Sequence, residues 1–504
     1  MSVVQTPRKA GILLHITSLP GHFGAGDFGP EAYRFIDFLK KAGQSYWQIL
    51  PINQLDSKMA YSPYSPLSAF AGNTMFINPE LLAEEKLLKD FNFKPIITES
   101  DEADYKAAEQ IKQQVLTRTY EEYKKNANAD LQKEFEDFCT KEKYWLDDYT
   151  LFVALRKKYR YESWSTWHFK YRQREKEALE EIRAKYAEQI DKEKFSQFLF
   201  IKQWKSLKSY CNEKGIKIIG DVPIYISYES ADVWAHPEFF KLKKNKEMFK
   251  VAGVPPDYFN KNGQLWNMPT YNWKELKENK YSWWIQRMKK NIELFDLVRI
   301  DHFRGLSTYW EVSAMEETAI NGKWLKGPGA DFLNALQKEF PEMPFVAEDL
   351  GDVDQDVYDL RDKYNLPGMR IVQFGFGKNM IKSVHAPHNY TINSLVYTGT
   401  HDNNTVKGWY KKEAGKKGRK NLNRYISAKI SSKNCHKVLI RIAYGSVAKI
   451  TIIPMQDVLG LGEKARMNLP ATEKGNWLWK VKKKNLKKND SRYLMKLVLL
   501  YRRR

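Results

Sequence analysis

The stretch FDLVRID (295–301) is apolar almost throughout and stops on an acid. A strand with one wet face alternates apolar and polar residues, whereas a strand covered on both faces reads as a continuous apolar run. Seven other runs share that character: GILLHI (11–16), YWQILPI (46–52), IKIIGDVPIYI (216–226), PFVAED (344–349), MRIVQFGF (369–376), SLVYTGT (394–400) and KITIIPMQDVL (449–459). Amphipathic segments separate several of them. PEAYRFIDFLKKAG (30–43) is the clearest helix, with Pro30 suited to the first turn and Gly43 to the end. DQDVYDLRDKYN (354–365) and ADFLNALQKEF (330–340) read similarly. Buried strand, helix, buried strand, repeated to a count of eight, predicts an α/β fold: a parallel (β/α)8 (TIM) barrel.

Two intervals are too long for simple crossovers. Residues 53–215 separate the second and third runs, and 227–294 the third and fourth. The first holds a Pro- and Tyr-rich stretch, SPYSPLSAFAGN (62–73), and then a long charged helical region. The expectation is one catalytic barrel over 1–504 with two insertion subdomains, 53–215 and 227–294, in the loops after strands 2 and 3. That is the face on which barrel enzymes build their sites. A hydrophobic fraction of 42% supplies a large core and excludes a disordered chain. No run of ~18 apolar residues exists to span a membrane. Three cysteines, Cys139, Cys211 and Cys435, lie far apart and match no metal spacing, and with no secretory signal at the start they suggest a reducing, cytoplasmic setting.

The net charge of +22 is not spread evenly. Residues 404–504 carry 27 Lys/Arg against 5 Asp/Glu, while the other 403 residues hold 56 of each. Clusters such as KKEAGKKGRK (411–420) and KVKKKNLKKND (480–490) dominate the excess. Such a field attracts polyanions, or else is a solvated helical exterior. The clusters contain no glycine-aromatic nucleic-acid motif, so nucleic acid is not the expected partner.

The chemistry follows from where acids fall. Asp301 ends LVRID, Glu348 ends FVAE, and Asp402 follows YTGTH. At the carboxyl ends of parallel strands these three carboxylates point into one mouth. Like charges brought together raise at least one pKa. A raised carboxyl serves as a general acid and an ionised one as a nucleophile or cation stabiliser, the division of labour that glycosidic cleavage requires. Arg299 lies two residues before Asp301 and so points to the same side of its strand, where its charge would hold Asp301 ionised. His302 and His401 can donate hydrogen bonds to sugar hydroxyls. Asp221, in IIGDVPIYI, also faces the barrel top and reads as structural or supporting.

These residues carry a family resemblance. R-x-D-H (299–302), the Glu of AED (347–349) and the His-Asp of GTHD (399–402) resemble the ordered catalytic blocks of the α-amylase superfamily, and Asp221 in GDVP resembles its first block. The wider sequence is similar to the amylomaltases, or 4-α-glucanotransferases, in GILLHITSLPGHFGAGDFG (11–29), SPYSPLSAFAGN (62–73), VAGVPPDYFNKNGQLW (251–266) and IPMQDVLGLGEKARMNLPATEKGNW (453–477). The blocks run in order across nearly the whole chain. The resemblance implies a retaining double displacement on α-1,4-glucans. Asp301 would attack the anomeric carbon, Glu348 would serve as acid and then base, and Asp402 would stabilise the oxocarbenium-like transition state. Nucleophile and acid/base would lie ~5–5.5 Å apart. Tyr64, in SPYSP, matches the family tyrosine beside the donor sugar, and Trp266, in GQLW, an aromatic of the acceptor loop. Asp257 and Asn468 fall in matching blocks. After Trp266 the family commonly reads Gly-Asn-Pro, where this chain has Asn267-Met268-Pro269. The family chemistry needs no cofactor and no metal. A plain α-1,4-glucan hydrolase, and a non-catalytic glucan- or polyanion-binding barrel, are the alternatives.

Overall fold

The computed structural model describes residues 7–89, 100–256, 260–472 and 474–504. Eight parallel strands form one sheet: β1 (Lys9–Leu13), β2 (Tyr46–Gln48), β3 (Lys217–Val222), β4 (Leu297–Ile300), β5 (Phe345–Ala347), β6 (Gly368–Ile371), β7 (Ser394–Tyr397) and β8 (Ile450–Pro454). Consecutive strands are neighbours, and β8 pairs with β1. The ring closes between β5 and β6, where Ala347 N–H donates to the Pro367 carbonyl at 2.9 Å. All eight apolar runs thus supply a barrel strand. Each strand is shorter than its run, because the run continues into the turn that leaves the barrel mouth. Pro223 stops β3, and KITIIPMQDVL changes after Pro454 into the short helix Met455–Val458.

The first crossover helix, α1 (Pro30–Lys41), follows its sequence signals. Pro30 opens it, Glu31 lies in the first turn, Lys40 and Lys41 lie in the last, and Gly43 follows at φ +66°. Its inner face, with Phe35, Ile36 and Leu39, is fully buried against the sheet. The sixth crossover has no α-helix among the described residues: 3-10 turns at Val372–Phe376, Met380–Lys382 and Pro387–Asn389 join β6 to β7.

Between β2 and β3 stand the long helices Tyr105–Asn126, Ala129–Lys158 and Ala187–Glu213, joined by an aromatic cluster of Tyr123, Phe135, Phe195 and Phe198. The last of them also serves as the barrel's own crossover: Trp204 Nε1–H donates to the Leu294 carbonyl at 3.1 Å, and its ring packs on Phe28 and Phe295. Between β3 and β4 lie the antiparallel strands Lys250–Val254 and Gln264–Pro269. The loop after β4 adds a hairpin, Thr308–Ser313 and Lys323–Lys326, which completes a four-stranded sheet. Only insertions after strands 2 and 3 were expected from the sequence. The hairpin escaped because its strands are short and partly exposed, and only their pairing, with Trp310 opposite Trp324, makes them a sheet. No helix among the described residues is long and apolar enough to cross a membrane.

Candidate active site

Strand register brings the first pair of charges together. β3 and β4 align so that Asp221 stands opposite Arg299, across 78 residues of sequence. Both side chains are buried, and Arg299 Nη1 lies 2.7 Å from each oxygen of Asp221. The other guanidinium nitrogen reaches Asp301 Oδ1 at 2.6 Å. One rigid fork therefore holds two carboxylates, a geometry that lysine cannot reproduce.

The ladder between the strands runs on past their ends. Asp301 N–H donates to the Val222 carbonyl, Glu348 N–H to that of Ile300, and Phe303 N–H to that of Glu348, all at 3.0–3.1 Å. This fixes the turn 301–303 against Glu348. His302 sits in the left-handed region at φ +49°, a conformation that costs a non-glycine residue about 1 kcal/mol or more. Its N–H donates to Glu348 Oε2 at 2.7 Å, and Leu350 N–H donates to Oε1 at 2.8 Å. Burial pushes the Glu348 carboxyl up, and the Asp301 charge adds to it. Together they outweigh the two N–H bonds and the Arg299 charge, and the carboxyl rises to about 8. Glu348 thus keeps its proton at neutral pH, next to the turn that carries Asp301.

A second chain of contacts crosses the mouth from Asp221 to Asp402. Tyr64 O–H donates to Asp221 Oδ2 at 2.7 Å, and the same oxygen lies 2.8 Å from His401 Nε2. Tyrosine has one proton and has given it to Asp221, so His401 Nε2 must carry the hydrogen and donate. Burial raises the Tyr64 hydroxyl well above its ordinary value, as does Asp221, which keeps that proton in place. His401 Nε2 is also 3.3 Å from Asp402 Oδ2. Burial lowers the imidazole, but the charge and hydrogen bond of Asp402, with the Asp221 charge, together outweigh it, and the net shift is upward. Asp402 shifts the opposite way: against the cost of burial, His401 and the Asn468 amide, donating to Oδ1 at 2.6 Å, hold it far below the usual carboxylate range. Asp301, Arg299, Asp221, Tyr64, His401 and Asp402 form one connected set.

Trp266, on the strand Gln264–Pro269, packs edge-on against the His302 ring with centroids 4.9 Å apart, and both touch Tyr225. Burial lowers His302 to about 4, so its ring is neutral. The structure brings His302 to the mouth by its backbone, while its ring faces the Trp266 side. Asp257 lies outside the described residues.

Two contributors, Arg466 and Trp477, were not singled out by the sequence, and a third, Asn468, was named there only as falling in a matching block. Asn468 N–H donates to the His401 carbonyl at 3.1 Å besides its bond to Asp402. Arg466 donates to the Asp402 carbonyl at 2.7 Å and to that of Asn468. Trp477 packs on Tyr64 and His401 at 5.7 and 6.0 Å between centroids. All come from the irregular segment after β8, and their one sequence signal is the block 453–477. A small cavity of about 20 Å³ adjoins His401, lined by His15, Asn404 and Asp457 among others, but reaches none of the three carboxylates. Among the described residues no group of three His, Cys, Asp or Glu is placed to hold a metal.

The arrangement offers a protonated carboxyl, a carboxylate held by a guanidinium, and a second, strongly acidic carboxylate. The sequence model for 4-alpha-glucanotransferase matches residues 14–486. The chain is 43% identical to the 4-alpha-glucanotransferase of Aquifex aeolicus, over 98% of this chain and 99% of that one. It is 42% identical to the Thermus thermophilus enzyme of the same name, over 95% of each. Among solved structures, the amylomaltase of Streptococcus agalactiae in complex with acarbose superposes with a TM-score of 0.94, at 37% identity, over 98% of this chain and 99% of that one.

Proposed function

The chain belongs to the 4-alpha-glucanotransferase family, and we propose how its own residues perform the transfer. The enzyme moves a segment of an α-1,4-glucan from a donor to the 4-hydroxyl of an acceptor glucan or glucose. Asp301, oriented by the Arg299 guanidinium, attacks the anomeric carbon from one face of the sugar. Glu348 gives its proton to the leaving oxygen, and the glycosyl unit rests on Asp301 as a covalent ester. The acceptor hydroxyl then loses its proton to Glu348 and displaces Asp301, so two inversions give net retention. Asp402, ionised throughout, faces the positive charge that develops on the ring carbon and oxygen. Tyr64 and His401 hold the donor sugar, with Asp221 positioning Tyr64 from behind. Trp266 and His302 border the acceptor side, where Asn267-Met268 adjusts acceptor preference.

The observation that carries this reading is the pairing of a carboxyl raised to about 8 with a neighbouring carboxylate clamped by Arg299. Water at the second step would give hydrolysis, so the loops over the mouth, 62–73 from the 53–215 insertion and 251–273 from the 227–294 insertion, act as its cover. Barrel and insertions work as one catalytic unit. Three cysteines without disulfides agree with a cytoplasmic enzyme. Incubation with maltotriose is the test. Transfer yields glucose together with longer oligomers, and Asp301→Asn abolishes both while maltotriose still binds. Shorter sugars alone would assign a hydrolase, and unchanged turnover in Asp301→Asn would remove the nucleophile.

A further inference from the structure

Apart from Arg466 beside Asp402, a neutral glucan explains none of the charge in residues 404–504, and the fold gathers part of that charge on one face. The helix Lys488–Leu500 exposes Lys488, Arg492 and Lys496, one turn apart, and then Leu499 and Leu500, which are 57% and 62% exposed. The neighbouring helix Cys435–Gly445 exposes Lys437 and Arg441, with Lys437 Nζ 5.9 Å from the ring centroid of Tyr493. At the base of the barrel, the Arg8 guanidinium donates to the carbonyls of Ser446 at 2.6 Å and Tyr501 at 2.7 Å. That clamp sets the turn before β8 beside the end of the last helix. Val447 in this turn is 49% exposed, next to exposed Lys449. Val447, Leu499 and Leu500 therefore share a tip with Lys449, Lys496, Arg502 and Arg504. Among the described residues none of the basic side chains of this face has a carboxylate partner in an ion pair. Asp490, partly buried at the start of the last helix, faces Lys437 and Lys487.

Single exposed leucines are ordinary, but three apolar side chains at one tip inside an uncompensated basic field are not. We propose that this basal face docks on an anionic lipid surface. The lysines and arginines meet the headgroups, and Val447, Leu499 and Leu500 enter the headgroup boundary. The contact is peripheral and needs no spanning helix. The apolar tip lies at the amino ends of the barrel strands, opposite the mouth that holds Asp301, Glu348 and Asp402, so docking leaves the cleft open to glucan; from that tip the helix runs back along the barrel flank, where Lys483 pairs with Glu31 in the first turn of α1. Nucleic acid fits less well. From residue 430 onward no described aromatic is among the exposed large side chains, and Tyr493 lies partly buried beside Lys437, so bases find no stacking platform.

The test is co-sedimentation of the whole chain with vesicles of phosphatidylcholine alone or mixed with phosphatidylglycerol, at several salt concentrations. Binding is expected to the mixed vesicles only, falling as salt rises. Each basic residue near an anionic leaflet contributes about fivefold in affinity, so the triple reversal Lys449→Glu, Lys496→Glu, Arg502→Glu at the tip should lose at least about 100-fold. Leu499→Ser with Leu500→Ser should weaken binding at high salt, where the apolar contact is what remains. Both variants should keep maltotriose disproportionation at the parent rate, which shows that they are folded. No binding, equal binding to both vesicle types, or full binding by the triple variant would overturn the proposal. So would salt-sensitive retention of RNA by a chain that ignores the mixed vesicles.

Discussion

Tyr64→Phe removes a single oxygen, and the geometry sets what that oxygen is worth. The hydroxyl gives its proton to a buried carboxylate, Asp221, at 2.7 Å and accepts from His401 at 2.8 Å. A hydrogen bond to a charged group contributes about 1.5–3 kcal/mol, and a buried partner left unpaired costs a similar amount. Asp221 keeps Arg299 after the change, so the fold survives. His401 keeps only Asp402, at 3.3 Å, and loses the contact that aligned its ring. If about half of the loss is felt in the transition state, kcat/KM falls about 10- to 100-fold, since 1.4 kcal/mol is a factor of ten. The ring still stacks on His401, so donor affinity should change less than kcat. The assay is glucose release from maltotriose over a range of concentrations, with urea unfolding on the same preparations. A kcat/KM within twofold of the parent, with stability unchanged, would refute the idea that the chain from Asp221 to Asp402 orders the site.

Two further outcomes follow from the same charges. Glu348 acts as an acid only while protonated, and its carboxyl stands at about 8, so kcat/KM should fall tenfold per pH unit above that value. Asp402 is held so low that it should put no acid limb on the profile within the usual range, and a basic limb near 4 to 5 would contradict the assignment of Glu348. Asn468→Ala deletes the amide that donates to Asp402 at 2.6 Å. Asp402 should then titrate at a higher pH, and kcat should drop about 10- to 100-fold by the loss of one charge-assisted bond. Parent-like kcat would place Asn468 among purely structural residues.

The sequence was legible where a property repeats along the chain. Continuous apolar runs mark strands buried on both faces, and each of the eight found its place in the barrel, because a two-sided covering leaves no other pattern. The acids at the ends of those runs were legible for the same reason: a strand end in a barrel has one mouth to face. Features that depend on pairing were not. Arg299 was read with Asp301, its neighbour two residues on, and that contact is present. Its bond to Asp221 depends on the register of β3 against β4, and nothing local encodes a register between segments separated by an insertion. The hairpin 308–326 was missed for a similar reason, since alternation over four to six residues means little until Trp310 meets Trp324.

Asn468, Arg466 and Trp477 mark a different limit. They sit in a segment without hydrophobic period, where conformation follows from what the segment touches and not from its own preferences. Their contacts converge on His401 and Asp402, so the irregular segment after β8 fixes the orientation of the residues that β7 delivers. Barrel strands can aim a side chain at the mouth but cannot alone set its hydrogen-bond partners. That task falls on loops drawn from both ends of the chain: Tyr64 arrives from the segment after β2, and Trp477 from the one after β8. The three carboxylates of the proposed mechanism should therefore tolerate less change in those loops than their irregular sequence suggests, since each loop residue named here contacts Tyr64, Asp221, His401 or Asp402.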